Sequence, residues 1–275
     1  FKGLDIIQHL FWNLPEKVLS YLNQLDRYIS KLMELMKPEV TIVVSDHGFH
    51  ARSEKNFYIN SWLRKKGYLR GKGSIFSFVK ELSYNLGINL ISNFPFLKKL
   101  IPERVKHKAI DISCIGRQIE WNKSFAFGTR WGIYFNKKIS RKKELAEKMR
   151  KELKEERDPE TGEFVVKEVY LKEEIFTGKF VDFLPDLVLL PAEKFKVNPI
   201  LNKNIIDYRV DFPHRVGDHH ADPVGIFMGF GKNLRHGYEI GDISIYDIVP
   251  TILSIYDIHP SSNLDGRVLT EIFKS

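Results

Sequence analysis

A long amphipathic segment that runs straight into a short apolar strand constrains this chain more than any other feature. Between Pro15 and Met36, the residues Val18, Leu19, Leu22, Leu25, Ile29, Leu32, Leu35 and Met36 recur at helical spacing. Pro15 suits a first helical turn and Pro38 follows the end, so the spacing predicts one helix over 15–36. Next comes Thr41-Ile42-Val43-Val44, a β-branched run too short for a helix, which stops abruptly at Ser45-Asp46-His47-Gly48. A helix followed at once by a buried strand is the rhythm of a parallel α/β sheet. Ligands of such sheets bind outside the carboxyl ends of the strands, which puts Asp46 and His47 at the expected site. Gly48 lets the chain turn away without placing a side chain there. The tripeptide alone also describes a simple strand-capping turn.

With 43% hydrophobic residues in 275, the chain can build a substantial core, as one large α/β domain or a domain with a cap. Its formal net charge of +8 favours anionic partners such as phosphate esters and nucleotides. The charge is dispersed, however, and the densest run, Arg141 to Arg157, alternates basic residues with glutamate as a solvated helix face does. No basic platform studded with aromatics appears, so a dedicated nucleic-acid surface is not expected. The single cysteine, Cys114, excludes an internal disulfide framework and a cysteine-rich zinc site, and suggests a cytoplasmic setting. No apolar run reaches membrane-spanning length. The chain opens at Phe1 inside what reads as a helix, so we expect 1–275 to be the carboxy-terminal portion of one α/β domain of a longer protein. Residues 70–124, with helical patches broken at Asn93-Phe94-Pro95, read as a helical insertion or cap.

Two further stretches carry ligand-type side chains. In the opening segment Asp5 and His9 are four residues apart, so on a helix both project from one face, among Ile6, Ile7, Leu10 and Phe11. A carboxylate and an imidazole so placed can share a divalent metal, or simply a hydrogen bond on the helix surface. Late in the chain, Gly217-Asp218-His219-His220 forms a polar loop before a run that reads as a buried strand from Val224 to Met228. Between these stretches, Asp158-Pro159-Glu160-Thr161-Gly162 is a strong turn, Phe164 to Leu171 alternates as a strand, and Leu184 to Leu190 reads as a buried strand in which Asp186 is structural.

Asp5, His9 and Trp12, the strand ending in Ser45-Asp46-His47-Gly48, and the late Gly217-x-His219 loop together resemble the type I phosphodiesterase/nucleotide pyrophosphatase branch of the alkaline phosphatase superfamily. IEWNKSFAFG, DPETGEFVVKEVYLKEEIFTG, FLPDLVLLP and DIVPTILSIYDIHPSSNLDGRVLTEIF add to the likeness, which runs from Asp5 to Phe273. The resemblance implies an alkaline phosphatase-like sandwich with a mainly parallel sheet flanked by helices. It also implies two divalent metal ions, zinc foremost and manganese next. Asp5, His9 and His219 would hold one, and Asp46 and His47 would contribute to the other. The spacing from His219 to Gly225 is longer than usual, which keeps His220 as the alternative to His219.

The implied reaction is hydrolysis of a phosphodiester or nucleotide pyrophosphate through a covalent intermediate. Phosphomonoester hydrolysis, sulfate ester hydrolysis, a phosphoglycerate mutase reaction and a metal-binding module without catalysis are the alternatives. The chain departs from the family pattern in two places. The stretch after Asn136 continues with lysines where a glycine-arginine segment is usual, and nothing matches the family's upstream threonine or serine nucleophile and its accompanying aspartate.

Overall fold

The computed structural model describes residues 1–71, 119–210, 214–219 and 224–274. His220 and most of the insertion predicted over 70–124 lie outside the described residues. The elements in chain order are α1 (Lys2–Phe11), α2 (Pro15–Met36), β1 (Val40–Val44), β2 (His50–Ala51), β3 (Lys55–Tyr58) and α3 (Ile59–Lys65). There follow β4 (Ala126–Gly128), β5 (Gly132–Phe135), α4 (Lys142–Lys154), β6 (Val166–Leu171), the single turn α5 (Lys172–Ile175), β7 (Leu187–Pro191) and β8 (Phe195–Asn198). The last are β9 (Ile206–Tyr208), β10 (Gly217–Asp218), β11 (Phe227–Gly231) and α6 (Ile248–Ile255). The chain divides into two compact units, the first drawn from Phe1–Gln8, Leu14–His50 and Asp222–Ser275, the second from His9–Asn13 and Ala51–Ala221.

In the second unit, β4-β5-β7-β6 form an antiparallel sheet, and β8-β3-β9 a smaller one in which β3 runs parallel to β8 and antiparallel to β9. The chain is thus a mixed α/β protein, as its sequence predicts. The predicted mainly parallel sheet is not what these ladders form: among the described residues they are small and mostly antiparallel. Alternating burial along β7 and β8 reflects the two faces of each strand. One face joins Phe57, Ile59, Trp62, Leu63, Met149, Leu153, Val169, Leu187 and Phe195 in a common core. Asp186 is structural as expected, accepting the Phe135 N–H at 2.7 Å and lying 3.2 Å from the Lys172 ammonium. The buried amide of Asn60 is used at both ends, donating to the Gly128 carbonyl at 2.8 Å and accepting the Gly128 N–H at 2.7 Å, which fixes α3 against β4.

Lys55 opens β3 with its side chain carried inside, only 6% exposed, and charge of the opposite sign meets it there. Its ammonium donates to Asp158 at 2.6 Å and to Glu160 at 2.5 Å, and lies 4.5 Å from the centre of the Tyr208 ring. Both carboxylates come from the turn at Asp158–Gly162, which closes by a 2.8 Å bond from the Gly162 N–H to the Asp158 carbonyl with Gly162 at a φ of +71°. The bond to Asp158, followed by that to Glu160, drives the Lys55 pKa up. Burial alone would raise Asp158, but Lys55, the Glu160 N–H and the Thr161 hydroxyl together hold it below the ordinary carboxylate value.

In the first unit α2 matches its predicted span, ending where Lys37 adopts a φ of +46° and donates its N–H to the Met33 carbonyl at 2.8 Å. β1 pairs antiparallel with β11, from Val40 opposite Gly231 to Val44 opposite Phe227. The sequence predicts β1 as a buried strand; it is instead partly exposed, and β11 is its one hydrogen-bonded partner among the described residues. Leu234, Leu269 and Ile272 form a small core with Val40 and Phe227. Asp247 organises the closing stretch, accepting the Ser244 N–H at 2.9 Å and the Arg267 N–H at 2.9 Å, while the Thr251 hydroxyl donates to its carbonyl at 2.6 Å.

The depressed Asp158 and raised Lys55 pKa values set a pH window for the stability they confer. It is fully present from about pH 4 to about pH 10, is lost below as Asp158 protonates, and is lost above as Lys55 deprotonates. Lys55→Met leaves Asp158 buried without its cation and is expected to cost about 3–5 kcal/mol at neutral pH. Lowering the pH towards 4 recovers part of that loss, because the stranded carboxyl can then be neutral. Urea unfolding across pH, followed by tryptophan fluorescence, reads both effects.

Candidate metal centre

In the first unit the ligand-type residues sit on the face of α1 and at the end of β1. The strand ends where it does because Ser45 turns its polar groups onto the other strand: its N–H donates to the Ile226 carbonyl at 3.0 Å and its hydroxyl accepts the Ile226 N–H at 2.8 Å. Gly225 allows this approach, since a Cβ there would fall 2.6 Å from the Ser45 hydroxyl and 2.9 Å from its carbonyl oxygen. Two residues on, the His47 Nδ1 lies 2.9 Å from the Gly48 carbonyl. A carbonyl can only accept, so in the neutral ring Nδ1 carries the hydrogen and Nε2 keeps its lone pair. An Asp5 carboxylate oxygen and a His47 ring nitrogen lie within 4.8 Å of one another. Asp46 is 3.7 Å from His47 Nε2, yet its side chain is 87% exposed.

In the second unit His9 is buried, and its Nδ1 donates to the Gly217 carbonyl at 2.8 Å. The same argument leaves Nε2 of His9 as the nitrogen with the lone pair. The backbone repeats the link, because the Val216 N–H donates to the His9 carbonyl at 2.8 Å. His219 follows β10, and its ring lies 5.2 Å from that of His9, centre to centre, at an angle of 54°. Beneath it, Asp218 is buried and ion-paired to Arg209 at 3.1 Å, with the Lys196 ammonium 3.7 Å away.

Each unit therefore brings together two of the predicted residues, Asp5 with His47 and His9 with His219. Asp46 stands beside His47 but points to solvent, and His220 lies outside the described residues. The donors are carboxylate oxygens and imidazole nitrogens, with the second nitrogens of His9 and His47 already hydrogen-bonded, a set that fits a borderline divalent ion such as zinc. Sequence reasoning did not single out Gly217 as the acceptor that orients His9, nor Arg209 as the partner of Asp218. The signal for the first was the glycine of the Gly-x-His pattern itself. Arg209 carried none, since an arginine between two turns is unremarkable.

The model of the type I phosphodiesterase / nucleotide pyrophosphatase family matches residues 1–221. The chain belongs to this family. No curated protein matches it. The match takes in Asp5, His9, Asp46, His47 and His219, and stops before β11 and the closing stretch around Asp247. Membership makes the chain part of a hydrolase family of phosphodiesterases, whose substrates are phosphoesters. Among the described residues no helix is long and apolar enough to cross a membrane.

Because the Ser45 turn depends on Gly225, Gly225→Ala is expected to push the two strand ends apart. Hydrogen exchange at the Ser45 and Ile226 amides should rise at least tenfold while Ile42 in the middle of β1 keeps its protection, which exchange measured by NMR resolves.

Proposed function

We propose that this chain carries the metal-binding part of an enzyme that hydrolyses phosphodiester or nucleotide pyrophosphate bonds with two divalent ions, zinc foremost and manganese next. The observation that carries the reading is the pair His9 and His219, remote in sequence, adjacent in space, and inside the span matched by the family model. Asp5, His9 and His219 hold one ion, and Asp46 and His47 contribute to the other. His220 remains the alternative to His219.

Bound ions would supply Lewis acidity, drawing charge off the phosphoryl oxygens. The chain's own part is to present ligands and charge. The Gly217 carbonyl fixes His9, and the Gly48 carbonyl fixes His47, each with Nε2 as the donor nitrogen. Asp5 and Asp46 add the negative charge that balances the cations. The excess of basic residues draws in the anionic substrate. The attacking hydroxyl, a threonine or serine that forms and then releases a covalent intermediate, and the remaining aspartate ligand come from a segment ahead of this chain in a longer protein. In that protein, 1–275 is the later portion of one alkaline phosphatase-like α/β domain, and 70–124 is a helical insertion or cap. By itself the chain binds metal and hydrolyses slowly.

Elemental analysis after dialysis against zinc tests this on the wild type beside Asp5→Ala, Asp46→Ala and His219→Ala. Each substitution is expected to lower the metal content by at least half. Metal held equally by all four proteins, or by none, would sink the ligand assignment. A panel of chromogenic phosphodiesters, phosphomonoesters and sulfate esters, run on the chain extended upstream, should show preference for the diester.

A further inference from the structure

We infer that Arg209 is a positioning residue for both imidazoles of the second unit, acting through Asp218. Its functional meaning rests on the metal-site reading above. The guanidinium is 3% exposed and its Nη1 donates to Asp218 Oδ2 at 3.1 Å. The same nitrogen lies within bonding reach of the Ser53 hydroxyl at 3.2 Å and the Ser53 carbonyl at 3.3 Å, and the Arg209 N–H donates to the Glu54 carbonyl at 2.8 Å. Arg209 is thus held at both ends by the segment leading into β3. The other oxygen of Asp218, Oδ1, accepts the His219 N–H at 3.0 Å. One carboxylate therefore spans the arginine and the backbone of the ligand residue, and the plane of that carboxylate fixes where residue 219 leaves the strand.

The residue on the other side completes the device. Gly217, adjacent to Asp218 in β10, supplies the carbonyl that accepts from His9 Nδ1, and Val216 is tied by its carbonyl to the Arg52 N–H at 2.8 Å. Any slip of β10 relative to Arg209 moves the Gly217 acceptor and the His219 backbone together. A buried ion pair contributes little net stability over an apolar pair of the same volume, because both charges must be desolvated. What the Arg209–Asp218 pair adds is direction: one guanidinium nitrogen, itself held by Ser53, sets where Asp218 Oδ2 lies and hence where Oδ1 meets the His219 N–H. Hydrogen-bond partners behind metal ligands typically tune affinity 10- to 100-fold.

The test uses the full 275-residue chain as wild type, Arg209→Gln, Arg209→Lys and Asp218→Asn. In metal-free protein, nitrogen-15 NMR of the histidine rings reports which nitrogen of His9 carries the hydrogen. Wild type is expected to show the Nδ1–H tautomer, and Arg209→Gln a mixture with the Nε2–H form. Zinc affinity, by competition with a chelator, should fall by about tenfold or more in Arg209→Gln. Arg209→Lys should restore most of both, which loss of bulk packing alone would not predict. An Arg209→Gln protein with an unchanged His9 tautomer and zinc affinity within twofold of wild type overturns the inference. If Arg209→Gln fails to fold, Asp218→Asn decides, since it removes the charge pair while keeping an acceptor for the His219 N–H. An unchanged tautomer there overturns the inference equally. A wild type that takes up no zinc sinks the metal reading, and the tautomer comparison still decides the role of Arg209.

Discussion

The second unit depends on a charge that its interior has to neutralise. Lys55 brings an ammonium group below the surface at the start of β3, and the Asp158–Gly162 turn must fold over it to deliver Asp158 and Glu160. That requirement joins two segments about 100 residues apart before any apolar contact between them is counted. It also holds β3 in register with β8 and β9, which start and finish opposite Lys55. Trp62, Leu63 and the rest of the core then pack on a strand whose first residue is already pinned. A buried charge pair is a poor source of net stability and a good source of uniqueness here, since few alternative registers satisfy an ammonium group with two carboxylates.

The ligand-type side chains follow a similar economy. Two histidines at the candidate centre are oriented by backbone carbonyls: His47 by that of Gly48, its own neighbour, and His9 by that of Gly217, two residues before His219. Backbone oxygens are good orienters because their direction is set by the strand, not by a rotamer. The arrangement makes the imidazoles as stiff as the strand ends that carry them. Stiff ligands discriminate among ions by geometry, which suits a family that handles charged phosphoesters.

Much of this was legible in the sequence. Pro15 and Pro38 bracket α2 because the first tolerates a helix start and the second cannot continue one, and the observed helix ends where that argument places it. The Asp158 to Gly162 turn and the structural role of Asp186 were likewise readable from residue type. Strand pairing was not. The run at 41–44 reads as a buried parallel strand, yet it pairs antiparallel with residues 227–231, and nothing local to either segment announces the other. The later strand starts at Phe227, not Val224, because Gly225 is committed to its close approach to Ser45. At the candidate centre, the family likeness singles out Asp5, His9, Asp46, His47 and His219, of which the structure pairs Asp5 with His47 and His9 with His219, while the groups that orient them stayed hidden. Backbone carbonyls have no sequence signature, and the value of Arg209 lies wholly in a long-range contact with Asp218.

The long helix α2 keeps Leu19, Leu32, Leu35 and Met36 exposed along its apolar stripe. Added to a net charge of +8, that stripe governs how the chain behaves as a colloid. At low ionic strength the molecules repel one another through their common positive charge, and solutions stay clear. Salt shortens the reach of that repulsion to about 10 Å at 0.1 M, while an excluded salt such as sulfate strengthens the apolar attraction. The chain is therefore a protein to be concentrated in dilute buffer, with ammonium sulfate drawing it out of solution early.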